Sequence, residues 1–174
     1  MLRSEKIGGS VFQVKALIAI LVIFSGLSSF SQINSSFPNQ PDASLTPGVL
    51  CTTPNSIRYP ERIPYCERNV TTEMKWTVMN AYMTKYHFRI DAKNRYEFKI
   101  DHFIPLCMGG ANSVKNLWPQ YKDVYEQTDQ LEFVLCQNLS EGKITQAQAI
   151  KKIKLGKLNL DQAPGLIKEA IQLN

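Results

Sequence analysis

A period of two is clearest at Tyr96-Glu97-Phe98-Lys99-Ile100-Asp101, where Tyr96, Phe98 and Ile100 interleave with Glu97, Lys99 and Asp101. That alternation predicts a half-buried strand. A loop with Pro105 and Gly109-Gly110 follows, and then Lys115 to Pro119, short, partly apolar and stopped by proline, suits a brief second strand. From Tyr121 to Leu139 the period lengthens, with Tyr121, Val124, Tyr125, Thr128, Leu131 and Leu135 at helical spacing. Upstream, Thr71 or Thr72 offers an N-cap, and Met74, Trp76, Val78, Met79 and Tyr82 make a helical stripe expected to be core. The tail reads as two short helices, Ile144 to Leu158 and Pro164 to Leu173, separated at Pro164-Gly165. Its lysines are expected on a solvated face. Strand, loop, short strand and helix, flanked by further helices, predict an α+β fold without internal repeats.

Other stretches lack such periods. Gln32 to Gly48 is Ser, Asn, Pro and Gln with few large apolar residues, the composition of a flexible leader. Thr46 to Cys66 holds too many prolines for a helix or central strand, so an extended, disulfide-pinned segment is expected there. At the start, Arg3, Lys6 and Lys15 precede an apolar run from Ala16 to Leu27 that gives way to small and polar residues. This is the pattern of a secretory signal peptide, and the run falls short of the roughly 20 residues that span a bilayer. An uncleaved anchor is the alternative. No cysteine closely follows the run, which argues against lipid attachment. The expected organisation is a signal peptide over 1–31, a flexible leader over 32–48, a main domain over 49–142 and a helical extension over 143–174.

The 174-residue chain carries a formal charge of +5. Residues 1–31 hold three bases and one acid, so the exported remainder keeps 17 bases against 14 acids, a surplus of +3. That suits a polyanionic partner without requiring one. All four cysteines, Cys51, Cys66, Cys107 and Cys136, lie in this remainder. An even number outside the cytosol favours disulfides, in any of three pairings. Cys51 and Cys66 flank the proline-rich segment and make a natural local pair, leaving Cys107 for Cys136. No C-x-x-C spacing supports a zinc site.

The chain has two histidines, and His102 sits beside Asp101 where the first strand gives way to its loop. A strand-end imidazole has a fixed backbone and a ring projecting beyond the sheet, and its ordinary pKa permits proton removal near neutrality. In a regular strand Asp101 points to the face opposite His102, but Pro105 and Gly109-Gly110 favour an irregular loop start that turns Asp101 toward a hard cation. A neutral imidazole and a carboxylate-held metal form a minimal apparatus for phosphodiester hydrolysis. His87 is expected to be structural.

The stretch DHFIPLCMGGANSVKNLWPQ resembles the D-H-x-x-P-L-x-x-G-G-x-N-x-x-x-N-L motif of HNH nucleases, the His-Me finger or ββα-metal group. Asp101, His102, Pro105, Leu106, Gly109, Gly110, Asn112, Asn116 and Leu117 fall on the pattern without a gap. The Asn-Leu-Trp-Pro ending and the upstream prolines and cysteines are similar to a branch of small bacterial HNH proteins. The resemblance spans roughly Thr46 to Glu132. It implies that the main domain is an HNH domain with a ββα-metal core, extra helices and disulfide bracing. It implies His102 as general base, Asp101 as metal ligand and Asn116 as the brace of the His-bearing loop. The family's third position, a His or Asn on the following helix, falls here on Tyr125, so Glu126 or Asp129 is expected to complete the metal site. Arg68 matches a basic residue that steadies the scissile phosphate, and Lys75, Arg95 and Lys115 are further candidates for binding nucleic acid. The implied cofactor is Mg²⁺ or Mn²⁺. The implied activity is endonucleolytic cleavage of DNA, with RNA left open, giving 5′-phosphate and 3′-hydroxyl ends. The alternative is a non-catalytic secreted or envelope module that keeps the scaffold for binding.

Overall fold

The computed structural model describes residues 37–173, so the expected signal peptide and the first residues of the leader lie outside the described residues. The elements are β1 (Ser56–Arg58), β2 (Ile63–Tyr65), α1 (Thr72–Tyr86), β3 (Phe98–His102), β4 (Leu117–Tyr121), α2 (Lys122–Ser140), α3 (Gln146–Leu158) and α4 (Ala163–Ile171). Among the described residues the fold is mixed α+β, with four helices, two small antiparallel sheets and two disulfides.

β3 and β4 pair with Phe98 opposite Tyr121, Ile100 opposite Pro119, and His102 opposite Leu117. Pro119 lacks a ladder donor, and β4 accommodates it because the sheet has two strands and both are edges. The strand starts later than its alternation suggests: Arg95–Glu97 wind into a 3₁₀ turn, which takes Tyr96 off the apolar face. α1 begins where expected, with the Thr71 side chain accepting from the Met74 amide at 3.2 Å. It ends at His87, whose left-handed backbone caps the helix. Val78, Met79 and Tyr82 are buried, but Trp76 is 52% exposed and is not core.

The helices after β4 extend the core. α2 buries Val124, Thr128, Leu131, Val134, Leu135 and Leu139. α3 and α4 pack against α2, and the Asn138 amide donates to the Ala170 carbonyl at 2.8 Å, pinning α2 to α4. Gly156 lets α3 come close: a Cβ there would meet Leu131 Cδ2 at 2.4 Å. That approach brings the next residue, Lys157, fully under the surface, so the tail's lysines are not all solvated. Pro164 and Gly165 do not separate the tail helices; they sit in the first turn of α4, where proline's missing N–H costs little.

Two segments differ from the sequence reading for tertiary reasons. The proline-rich stretch forms the β1–β2 hairpin, whose Ile63 is buried in the helical core. The part of the leader within the described residues is tied down. Phe37 packs edge-on against Phe98 with centroids 4.8 Å apart, and buried Thr46 donates to the Leu117 carbonyl at 2.8 Å. Cys51 pairs with Cys66, and Cys107 with Cys136, each with Cα atoms 5.9 Å apart. The second disulfide clips the loop after β3 to α2.

Candidate functional site

The loop from His102 to Leu117 is organised by one buried side chain. Asn116 accepts from the Ile104 amide at 2.9 Å and donates to the carbonyls of Ile104, at 2.9 Å, and Ala111, at 3.0 Å. Its own carbonyl takes the Phe103 amide at 2.7 Å. Gly110 completes the crossing, since a Cβ there would lie 1.8 Å from the Ile104 carbonyl oxygen. The loop therefore returns tightly on itself and fixes the end of β3.

His102 is buried there, and its ring makes two polar contacts. Nε2 lies 3.2 Å from Asn112 Oδ1, and Nδ1 lies 3.5 Å from an Arg68 guanidinium nitrogen. Asn112 Nδ2 donates to the Glu67 carbonyl at 2.6 Å, which can only accept, so the amide oxygen must face the imidazole. The neutral ring then carries its proton on Nε2, leaving the Nδ1 lone pair toward Arg68. Burial is the strongest influence on the ring and takes its pKa down to about 4, against the opposing pull of Asn112 and Asp101. At neutral pH His102 is an uncharged acceptor.

Arg68 is held by this contact and by a 3.3 Å hydrogen bond to the Ile100 carbonyl, both long. With Lys75, Arg95 and Lys99 it lines a cavity of about 240 Å³ that also meets Met79, Ile90, Phe98 and Ile100. The structure thus brings Arg68, Lys75 and Arg95 to one hollow, and Arg68 alone of the three reaches His102. It places Lys115 elsewhere, in a separate hollow with Ser44, Thr77 and Tyr82.

Asp101 leaves the strand on the other face. It lines a second cavity of about 350 Å³ with Lys99, Asp129, Glu132, Phe133 and Cys136. The ammonium of Lys157 reaches in from α3, donating to Glu132 at 3.0 Å and to the His102 carbonyl at 2.7 Å, and lying 3.6 Å from Asp101. Burial would raise the Asp101 carboxyl, but Lys157 and then Lys99 outweigh it and hold it below the usual range. Burial pushes Glu132 up, with Lys157 opposing. Burial would also discharge Lys157, yet Glu132 and Asp101 keep it protonated. Asp129 pairs with Lys99 at 2.5 Å.

The residues named from sequence thus divide between the two cavities. Asp129 shares a wall with Asp101, whereas Glu126 is exposed and lies outside that cavity. Glu132, unforeseen, is the helix carboxylate that shares an ammonium with Asp101. Its one sequence signal was its place three residues after Asp129. Lys157 gave none. Among the described residues no three His, Cys, Asp or Glu side chains are gathered closely enough to hold a metal ion. Asp101, Asp129 and Glu132 share the wall of one open cavity, but they are not drawn together as a ligand set, and ammonium groups already face them. The wall already accepts positive charge from Lys157 and Lys99, and Lys99 is partly exposed on a flexible stem.

Comparison with protein-family models, with characterised proteins and with solved structures finds no match for this chain.

Proposed function

We propose that this protein is an exported, metal-dependent endonuclease of the HNH type, built on a ββα-metal core of β3, β4 and α2. The observation that carries the reading is the meeting of a neutral, strand-end His102 with Arg68 at a cationic cavity, while Asp101 faces carboxylates on α2. Lys99 lines both cavities, so its ammonium borders the path between them.

In this reading Arg68 exchanges its two long contacts for the oxygens of a phosphodiester, which uncovers Nδ1 of His102. Nδ1 takes a proton from the attacking water, the water oxygen bonds to phosphorus, and the bond from phosphorus to the 3′-oxygen breaks, the departing oxygen taking a proton from solvent. Asn116 keeps the imidazole where the strand ends, and Asn112 holds its tautomer. Asp101, with Glu132 and Asp129 on the same cavity wall, would hold a divalent ion, Mg²⁺ or Mn²⁺, once Lys99 and Lys157 release them, and the ion would supply stabilisation of negative charge at the phosphate. The products would carry 5′-phosphate and 3′-hydroxyl ends. Export rests on residues 1–31, and the mass of the exported form tests it.

A second reading, a non-catalytic nucleic-acid-binding module on the same scaffold, is favoured by Lys157, whose ammonium already compensates Asp101 and Glu132. Incubating the purified chain with plasmid DNA, Mg²⁺ or Mn²⁺, and EDTA separates the two. The expected result is nicking that EDTA stops and His102→Ala abolishes. A folded protein that binds DNA and RNA but leaves both intact with every divalent metal assigns the module instead.

A further inference from the structure

The geometry points to single-stranded nucleic acid as the occupant of the cationic cavity, an inference that rests on the nuclease reading and narrows its substrate. Arg68, Lys75, Arg95 and Lys99 line this cavity, and no acid does. Among the described residues no carboxylate pairs with Arg68, Lys75 or Arg95. Three uncompensated cations around one hollow suit a chain of phosphates.

Two aromatic side chains add a second, independent feature. Trp76 is 52% exposed and Tyr96 is 88% exposed, although both fall on apolar stripes of the sequence. Each adjoins residues of the cavity wall. Trp76 follows Lys75 on α1 and sits one turn before Met79; Tyr96 follows Arg95 in the 3₁₀ turn Arg95–Glu97 that leads into Phe98. A large ring left in water beside phosphate-binding cations is the arrangement on which unpaired bases stack. Duplex readers instead push a helix or ribbon outward into a groove. Here the cationic surface is concave, and two exposed aromatics are the chain neighbours of two of its lining cations, so splayed bases on a threaded backbone suit it better than a paired helix. Stacking tolerates any base, so the cavity takes single-stranded DNA and RNA without marked sequence preference.

Intrinsic fluorescence gives a direct probe, because Trp76 is exposed and the other tryptophan, Trp118, is fully buried. The exported chain carrying His102→Ala is titrated with oligo(dT), oligo(U) and a duplex of equal length, with affinities also read by anisotropy of end-labelled strands. The expected result is tryptophan quenching by both single strands and affinity about tenfold above that for duplex. Trp76→Ala and Tyr96→Ala should each weaken single-strand binding about tenfold and leave duplex binding unchanged, whereas Trp76→Phe and Tyr96→Phe retain it. Equal affinity for single strands and duplex, with neutral alanine variants, overturns the inference and leaves the nuclease reading standing. Failure to bind any of the three overturns both.

Discussion

The ammonium of Lys157 lies 2.7 Å from the carbonyl oxygen of His102, across a sequence separation of 55. The same nitrogen holds Glu132 at 3.0 Å and faces Asp101 at 3.6 Å. One fully buried cation from the C-terminal extension therefore joins β3, α2 and α3 directly beneath the candidate site. Removing it leaves Asp101 and Glu132 on their cavity wall with Lys99 as the remaining ammonium there among the described residues. Lys157→Met should cost about 3–5 kcal/mol, measured by urea unfolding, and Lys157→Met with Glu132→Leu should recover part of that loss. If the single variant unfolds at the wild-type midpoint, the ammonium is not compensating these carboxylates.

Asn116 is the second keystone. Its amide satisfies three backbone groups of the loop at 2.9–3.0 Å, all within the turn that positions His102. Asn116→Ala strands them away from water, at a cost on the order of 3 kcal/mol. Asn116→Asp should also fail, since a carboxylate cannot donate to the Ile104 and Ala111 carbonyls. Thermal unfolding measures both. Amide exchange should quicken at Phe103 and Ile104 before it does in α2.

Asp42 predicts how stability depends on pH. Burial alone would raise its carboxyl, but hydrogen bonds from Lys85, Ser44, Tyr86 and the Leu45 amide hold it well below the ordinary value. The unfolded chain thus takes up a proton at higher pH than the folded one. The contribution is present above the usual carboxylate range and is lost as acid protonates the folded carboxyl. Asp42→Asn should therefore be less stable than wild type at neutral pH, and the gap should narrow below about pH 4. A gap that stays constant from pH 7 to 3 assigns the loss to shape instead of charge. In the same network burial, then the hydrogen bond to Asp42, lifts the Tyr86 hydroxyl to about 12. Spectrophotometric titration reads it.

The Cys107–Cys136 disulfide spans 29 positions and clips the loop after β3 to α2. Replacing both cysteines with serine should cost about 2–4 kcal/mol through the greater freedom of the unfolded chain. The Cys51–Cys66 disulfide closes a separation of only 15, so its removal should cost less. Denaturant midpoints of the two double variants rank them.

Much of this arrangement was legible in advance where the cause is local. Alternation at Phe98 and Ile100 gave β3, Thr71 gave the start of α1, and the 3.6-residue stripe gave α2. Cysteine positions alone favoured both disulfides. What escaped depends on neighbours distant in the chain. Trp76 fits the apolar stripe of α1, yet the helix turns only Val78, Met79 and Tyr82 fully inward. Lys157 looks like any surface lysine until Gly156 draws α3 onto Leu131. Glu132 is marked in sequence only by its place three residues after Asp129; it matters because it and Asp101 reach one ammonium. The β1–β2 hairpin was hidden by its prolines, since the burial that holds Ile63 comes from helices much later in the chain.

The dependence of β3 on Lys157 sets an order of assembly. His102 is made early, but the backbone oxygen behind it meets its counterpart only when α3 has been synthesised and has docked. Its loop is clipped in place only when a thiol at Cys107 finds one at Cys136 under oxidising conditions. A nascent or reduced chain can hold every side chain of the site and still lack the frame that aims them.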